Sequence, residues 1–176
     1  MTLDNRASLY LYTDQLDAAE DARKALAIRR ANLPTPHPHI ASSLTNLGMT
    51  LEKQKRYAES VAFSRSAAEM WDATLGPEHV HSAYPRTALG IALLEQGDAQ
   101  QALAPLRLAV ELRSEPGREP HLRARSLFAF ARALQATTST EDPCPLLTEA
   151  LRLYKAADLP DDVAAARTAR ASICPS

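Results

Sequence analysis

The chain lacks the features that several classes of protein require. It has two cysteines in 176 residues, too few for the disulfide framework of a secreted protein, so we expect a reducing compartment. Lys and Arg number 20 against 21 Asp and Glu, without the basic excess of a nucleic-acid binder. No segment approaches the ~18 apolar residues of a membrane span, and the N-terminus does not resemble a signal peptide. These absences predict a cytoplasmic protein with neither nucleic-acid nor membrane partners.

Catalytic patterns are absent as well. The sequence has no nucleophile motif, no glycine-rich phosphate loop and no paired-carboxylate signature. We therefore predict no enzyme activity, no cofactor and no metal. Glycine is scarce at 5 residues, as long helices require, and most of the 12 prolines lie where helical segments stop. The 45% hydrophobic content is enough for a continuous core.

What the sequence does contain is a repeat of 42 residues. Residues His37, His79 and His121 stand 42 apart, and Leu47-Gly48 recurs after the same interval as Leu89-Gly90. About a dozen positions agree in this register, which is too many for chance. The units on either side are degraded copies, as terminal repeats usually are, because one of their faces meets solvent or a cap. We predict repeats over about 1–38, 39–80, 81–120 and 121–159, with a capping helix over 160–174, in a single domain of residues 1–176.

Each unit is predicted to hold two helices. Leu44, Leu47, Gly48 and Leu51 follow the spacing of one helical face, and Gly76-Pro77 is a typical helix end. Short turns between helices force antiparallel neighbours. The predicted helices are Leu3–Thr13, Leu16–Asn32, Ile40–Gln54, Tyr57–Leu75, His79–Gln96, Ala99–Arg113, His121–Ala136, Cys144–Ala157 and Asp161–Ile173. The fold class is therefore all-α, an α-solenoid of about four antiparallel helix pairs.

The second unit resembles a tetratricopeptide repeat. The resemblance rests on the segments Leu44 to Leu51, Lys55 to Ser60 and Arg65 to Ala67. That family places a small residue where its two helices touch, a slot filled here by Gly48, Gly90 and Ala131, with Ser60 and Ala102 as the second small residue. The 42-residue period and the Leu-Gly-Pro-Glu-His linker are similar to the kinesin light chain variety, which is common in bacterial signalling proteins. The resemblance implies a scaffold that binds proteins or peptides.

The same resemblance implies a binding surface. In such stacks the first helix of each unit lines a concave groove, and the register places these residues there: Asn5, Tyr12, Thr45, Asn46, Met49, Lys53, Tyr84, Thr87, Arg125, Phe128 and Arg132. Asn5 and Asn46 coincide with asparagines that bind ligand backbone in chaperone-binding members. Arg125 and Arg132 lie two turns apart, about 10 Å along one helix face, a spacing that favours acidic or phosphorylated groups. We expect a partner with an acidic patch.

Alternatives remain open at this point. The groove residues could simply coat a surface, and the chain could be an architectural module that associates with itself. The paired histidines could bind metal, but one pair per repeat should not converge, and we expect them to satisfy helix-start amides. Cys144 could be reactive, since a helix N-terminus lowers the pKa of a thiol, but we expect a small buried residue at a helix start, with Cys174 in a frayed tail. The arginines from Arg107 to Arg132 alternate with glutamates and predict a surface of mixed charge.

Overall fold

The computed structural model describes residues 18–114 and 119–174. Within these ranges it contains eight α-helices and no strand. The helices are α1 (Ala18–Asn32), α2 (Pro38–Lys53), α3 (Tyr57–Leu75), α4 (Ala83–Glu95), α5 (Ala99–Leu112), α6 (Pro120–Gln135), α7 (Cys144–Ala156) and α8 (Pro160–Ile173), with a short 3₁₀ turn, Val80–Ser82, before α4. The predicted helix Leu3–Thr13 and the start of the predicted helix Leu16–Asn32 lie outside the described residues.

The predicted all-α solenoid is confirmed. Helices α2 with α3, α4 with α5, and α6 with α7 form antiparallel pairs, and α8 packs on α7 as the predicted cap. The predicted ends hold to within a few residues; Gly76, for example, follows α3 with a φ of 90°, which glycine adopts without strain. Pro105 stands inside α5, which nevertheless runs on to Leu112.

Two glycines explain why the paired helices approach so closely. A Cβ atom added at Gly48 would lie 2.3 Å from the Ser64 Oγ and 3.1 Å from the Ser64 backbone nitrogen. A Cβ atom added at Gly90 would lie 2.3 Å from the Leu106 Cγ. Ser60 reinforces the first contact, since its buried hydroxyl donates a hydrogen bond to the Gly48 carbonyl at 2.8 Å. The small-residue slots predicted from the sequence are therefore the points of contact between helices.

The arrangement of the helices gives the solenoid an inner and an outer side. Helices α2, α4 and α6 pack on one another as well as on their own partners, and we call them the inner helices. Helices α3, α5 and α7 are the outer helices, of which α3 and α5 each bridge two successive inner helices. The inner helices therefore share one continuous surface of the solenoid.

The C-terminal end differs from the sequence prediction. Cys144, the first residue of α7, forms a disulfide with Cys174, which directly follows α8. Both residues are half-buried, so Cys174 is not in a frayed tail and Cys144 is not a free buried thiol. The spacing of 30 residues could not reveal this pairing, because it depends on α8 folding back antiparallel to α7. None of the described helices is long and apolar enough to cross a membrane.

Candidate functional site on the inner helices

A cavity of about 470 Å³ opens where α2 meets the first turns of α4 and α6. We call it the inner cavity. It is lined by Ser42, Thr45, Asn46, Met49, Trp71, His81, Tyr84, Glu119, His121 and Leu122. Four of these were predicted as groove residues, namely Thr45, Asn46, Met49 and Tyr84. The volume falls within the range of known ligand sites, so the predicted groove contains a recess able to take a side chain.

Trp71, on outer helix α3, forms one wall of the inner cavity. Its Nε1 donates a hydrogen bond to the Thr45 hydroxyl at 2.9 Å, and that hydroxyl in turn donates to the Ala41 carbonyl at 2.8 Å. The His81 ring lies 5.1 Å from the Trp71 ring. Thr45 was predicted as a partner-binding residue, but its hydroxyl is already bonded within the protein. The hydroxyl is buried and holds the tryptophan in place.

Tyr84 is fixed from two sides. The Arg113 guanidinium lies over its ring, 4.7 Å from the centroid, and its hydroxyl donates a hydrogen bond to the Glu119 carboxylate. Glu119 precedes α6 with a φ of 47°. Tyr84 therefore joins the end of α5 to the start of α6, and presents a rigid aromatic surface beside Met49.

Arg113 was expected on a surface of mixed charge, but it is only 5% exposed. One guanidinium nitrogen donates to the Ala83 carbonyl and the Thr87 hydroxyl, each at 3.0 Å, and to the Ser126 hydroxyl at 3.1 Å. Burial lowers the pKa of Arg113 to about 10, while Tyr84 and Glu119 act in the opposite direction. This buried polar cluster connects the end of α5 to α4 and α6.

Thr87 belongs to that cluster and not to the groove surface. It is 2% exposed, and its hydroxyl is bonded to the Ser126 hydroxyl at 2.8 Å and to the Ala83 carbonyl. Its prediction as a partner-binding residue is therefore wrong. The helical register pointed to the inner side correctly, but α6 packs directly over this position of α4 and covers it.

The predicted arginines Arg125 and Arg132 are both paired within the protein. Arg125 on α6 forms an ion pair with Glu52 on α2, reaching past the intervening inner helix α4. Arg132 pairs with Glu95 on α4 at 3.0 Å. Burial raises the pKa of the nearby Tyr57, and the Glu95 and Glu52 carboxylates add to this effect while Arg132 opposes it. The expected positive patch is thus a pair of intramolecular salt bridges.

The remaining predicted groove residues lie apart from one another. Lys53 is exposed at the last residue of α2, whereas Asn46 is half-buried in the inner cavity. Phe128 is half-buried on α6, and its ring meets that of Tyr154 edge-on at 6.4 Å. Asn5 and Tyr12 lie outside the described residues. The sequence did not place Trp71, His81, Glu119 and His121 at this cavity, although Trp71 is the single tryptophan of the chain and could have been noticed as such.

The histidine pairs serve the helix starts, as predicted. The Nδ1 atom of His37 accepts a hydrogen bond from the His39 amide at 3.1 Å, and His79 does the same for the His81 amide at 3.3 Å. Both residues occupy the position before a helical turn with extended backbone. In the described residues no group of three or more His, Cys, Asp or Glu side chains is placed to hold a metal ion.

We expect His37→Ala to lower the free energy of unfolding by about 1 kcal/mol, the usual cost of losing an N-cap acceptor. His37→Asn should restore most of it, because asparagine supplies an oxygen at the same position. Urea unfolding followed by circular dichroism measures both values. A chelator should leave the melting temperature unchanged, and a shift of several degrees would show that the histidines bind a metal that contributes to folding.

Sequence comparison identifies the repeat. Family models of the tetratricopeptide repeat match residues 1–39 and 39–115. The chain belongs to the tetratricopeptide repeat family. No curated protein matches it in sequence. Repeat arrays of this family present extended concave surfaces to other proteins, so the chain is a protein-interaction module by its construction.

Solved structures place this tetratricopeptide array beside the kinesin light chain variety in fold. The nearly identical tetratricopeptide-like repeats of a kinesin light chain-type protein from Podosopora anserina are 22% identical, covering 97% of this chain and 92% of that chain, with a TM-score of 0.67. A single-substitution variant of that protein gives 21% identity and the same coverage and TM-score. BtubC from P. vanneervenii is 18% identical, with a TM-score of 0.70, covering 89% of this chain and 65% of that chain.

Proposed function

We propose that the chain is a cytoplasmic, non-catalytic scaffold, a single domain of residues 1–176, and that a partner segment lies along its inner helices with one side chain in the inner cavity. The observation that supports this most directly is the cavity itself, since it lies on the surface that the family uses for binding. Its aromatic and apolar walls, with a few polar groups, have the composition of a binding recess. A module of a larger bacterial signalling protein is the setting we infer from the resemblance.

The inner cavity favours an apolar or aromatic side chain of the partner. Trp71, Tyr84 and Met49 supply apolar surface, and two of them are held by hydrogen bonds, which reduces the entropy lost on binding. Asn46 and Ser42 add polar groups at the edge that can bond to a peptide backbone. Such a site resembles the centre of a protein interface, where buried aromatic residues contribute most of the affinity.

The acidic end of the partner would lie at Arg125 and Arg132. Because Glu52 and Glu95 already occupy these arginines, an acidic ligand has to compete with them. Exchange of one carboxylate for another conserves the charge-assisted hydrogen bonds. It also makes the affinity modest, and we expect it to fall as salt is raised, since exposed charges are screened.

A peptide-display library panned against the chain tests the site. Selected peptides should bind Asn46→Ala/Arg132→Glu about a hundredfold more weakly than the unsubstituted chain, because an interface depends on a few such contacts. Fluorescence anisotropy with labelled peptide at low and high salt gives the dissociation constants. Thermal melting establishes that the double variant is folded.

The matched control is Arg65→Glu, a charge reversal at an exposed position of outer helix α3. Arg29 is unsuitable for this purpose because its guanidinium donates a hydrogen bond to the His39 carbonyl at 2.7 Å. Wild-type affinity is expected in Arg65→Glu. If the peptides bind Asn46→Ala/Arg132→Glu as tightly as the control, the partner site lies on another face and the proposal is wrong.

A further inference from the structure

Helix α8 packs on α7 with little buried surface. Ala166 is its one buried residue, while Val163 is partly buried and much of the helix is exposed. Helix α7 instead buries Leu147, Leu153 and Tyr154. A helix of this length is marginal by itself in water. Its arginine-rich, alanine-rich sequence adds little hydrophobic stabilisation, so another restraint has to keep it on α7.

The Cys144–Cys174 disulfide is that restraint. It joins the first residue of α7 to the residue after α8, with a Cα–Cα distance of 5.7 Å. At this end the described contacts include one more link, from the Arg170 Nε to the Thr148 hydroxyl at 3.1 Å, and it is exposed to solvent. Both cysteines are half-buried, and Cys144 also lines a depression in the surface, so a reductant can reach the bond.

We propose that the Cys144–Cys174 disulfide is a redox-sensitive latch that keeps the capping helix α8 closed over α7, and that reduction releases α8. In the cytoplasm proposed above disulfides are rare, and those that occur are usually transient and catalytic or redox-sensing. The latch would therefore open and close with the thiol balance of the cell. It requires no partner bound to the inner helices, so it stands apart from the proposed binding site.

The reaction is thiol–disulfide exchange with a dithiol reductant. One thiolate of the reductant attacks the Cys174 sulfur, forms a mixed disulfide and expels the Cys144 thiolate, which the N-terminus of α7 stabilises. The second thiol of the reductant then displaces Cys174. Two electrons and two protons pass to the protein, which ends with two thiols, and the reductant ends as a disulfide.

Release of α8 would uncover Tyr154, which is 2% exposed and belongs to one hydrophobic cluster with Val163 and Ala166. In the closed form burial raises the pKa of Tyr154 well above its ordinary value, the Asp162 carboxylate of α8 adds to this, and Arg125 opposes it. Tyr154 also contacts Phe128 edge-on. The latch would thus alter the C-terminal end of the groove, and this link, like the cytoplasmic setting of the latch, rests on the proposed function.

Hydrogen exchange of the oxidised and the dithiothreitol-reduced protein tests the latch. We expect the amides of α8 to exchange about a hundredfold faster after reduction, a change of the size that a disulfide contributes to stability, while α2 to α5 keep their protection. The Tyr154 phenol should ionise at lower pH in the reduced protein, followed by ultraviolet absorbance and assigned by its loss in Tyr154→Phe.

The matched control is Cys144→Ser/Cys174→Ser, which should behave as the reduced protein whether or not dithiothreitol is present. Equal protection of α8 in the oxidised and reduced proteins would overturn the proposal, as would two titratable thiols in protein purified without reductant and then air-oxidised. Loss of protection in α2 to α5 together with α8 would overturn it too, because α8 would then not open by itself.

Discussion

Gly48→Ala is expected to lower the free energy of unfolding by about 3 kcal/mol, the upper part of the range for overpacking a core. The added methyl group would meet both the side chain and the backbone of Ser64, with contacts of 2.3 Å to Oγ, 3.1 Å to N and 3.2 Å to Cα. In a helix alanine is normally more stable than glycine by about 1 kcal/mol. Helix propensity alone would therefore predict a gain in stability, and the expected loss has the opposite sign. Urea unfolding followed by circular dichroism measures the change.

Second substitutions separate the side-chain contact from the backbone contact. Ser64→Ala should rescue Gly48→Ala only in part, because the Ser64 backbone stays where it is. The corresponding close contacts at Gly90 are with the side chain of Leu106, and Leu106→Ala should relieve them. We expect Gly90→Ala/Leu106→Ala to lose less free energy of unfolding than the two single variants lose together, by about 1 kcal/mol or more. Full rescue of Gly48→Ala by Ser64→Ala would show that the backbones do not set the helix spacing.

Trp71→Ala is expected to cost about 4 kcal/mol, within the usual range for removing a buried tryptophan. The side chain is 7% exposed and connects α3 to α2 through its hydrogen bond to Thr45. Trp71→Phe retains much of the apolar contact but leaves the Thr45 hydroxyl without its donor, so we expect a loss of about 1 kcal/mol. Circular dichroism is the suitable probe, because the chain has no other tryptophan.

Two further measurements make the Trp71 test specific. Glu69→Ala changes an exposed residue of the same helix and should stay within about 0.5 kcal/mol of the unsubstituted chain. Peptides selected by the chain should bind Trp71→Phe nearly normally if the ring wall of the inner cavity is what they contact. If Trp71→Ala lowered the free energy of unfolding by less than Trp71→Phe does, the structural role of the indole would be contradicted.

The proposed binding surface carries its own counter-charges. Glu52 and Glu95 neutralise the two arginines that the sequence offers to an acidic ligand, so the inner helices carry a balanced set of charges before any partner binds. The Arg125–Glu52 pair joins α6 to α2, and the Arg132–Glu95 pair joins α6 to α4. A partner that replaced the glutamates would therefore also loosen contacts between the inner helices.

The sequence alone determined the architecture because that information is local and repeated. The spacing of the leucines and the glycines at the helix contacts depend on neighbours within one unit. The 42-residue period then repeats the same pattern at many positions. The role of the histidines at the helix starts was predictable for the same reason, since the amide that each one caps lies two residues away. The inner side of each first helix was also predictable, which placed Asn46, Met49 and Tyr84 at the inner cavity.

Only the tertiary structure decided which of those inner residues are buried or paired within the protein. Thr87 is covered by α6, Thr45 is bonded to Trp71, and Arg125 meets a glutamate 73 residues away. The disulfide likewise needs α8 to turn back along α7. Helical periodicity specifies the direction of a side chain from its own axis, but burial, ion pairing and cross-linking depend on how far the next units rotate and advance. That rotation is set by packing between units, and the repeat pattern of a single sequence does not encode it.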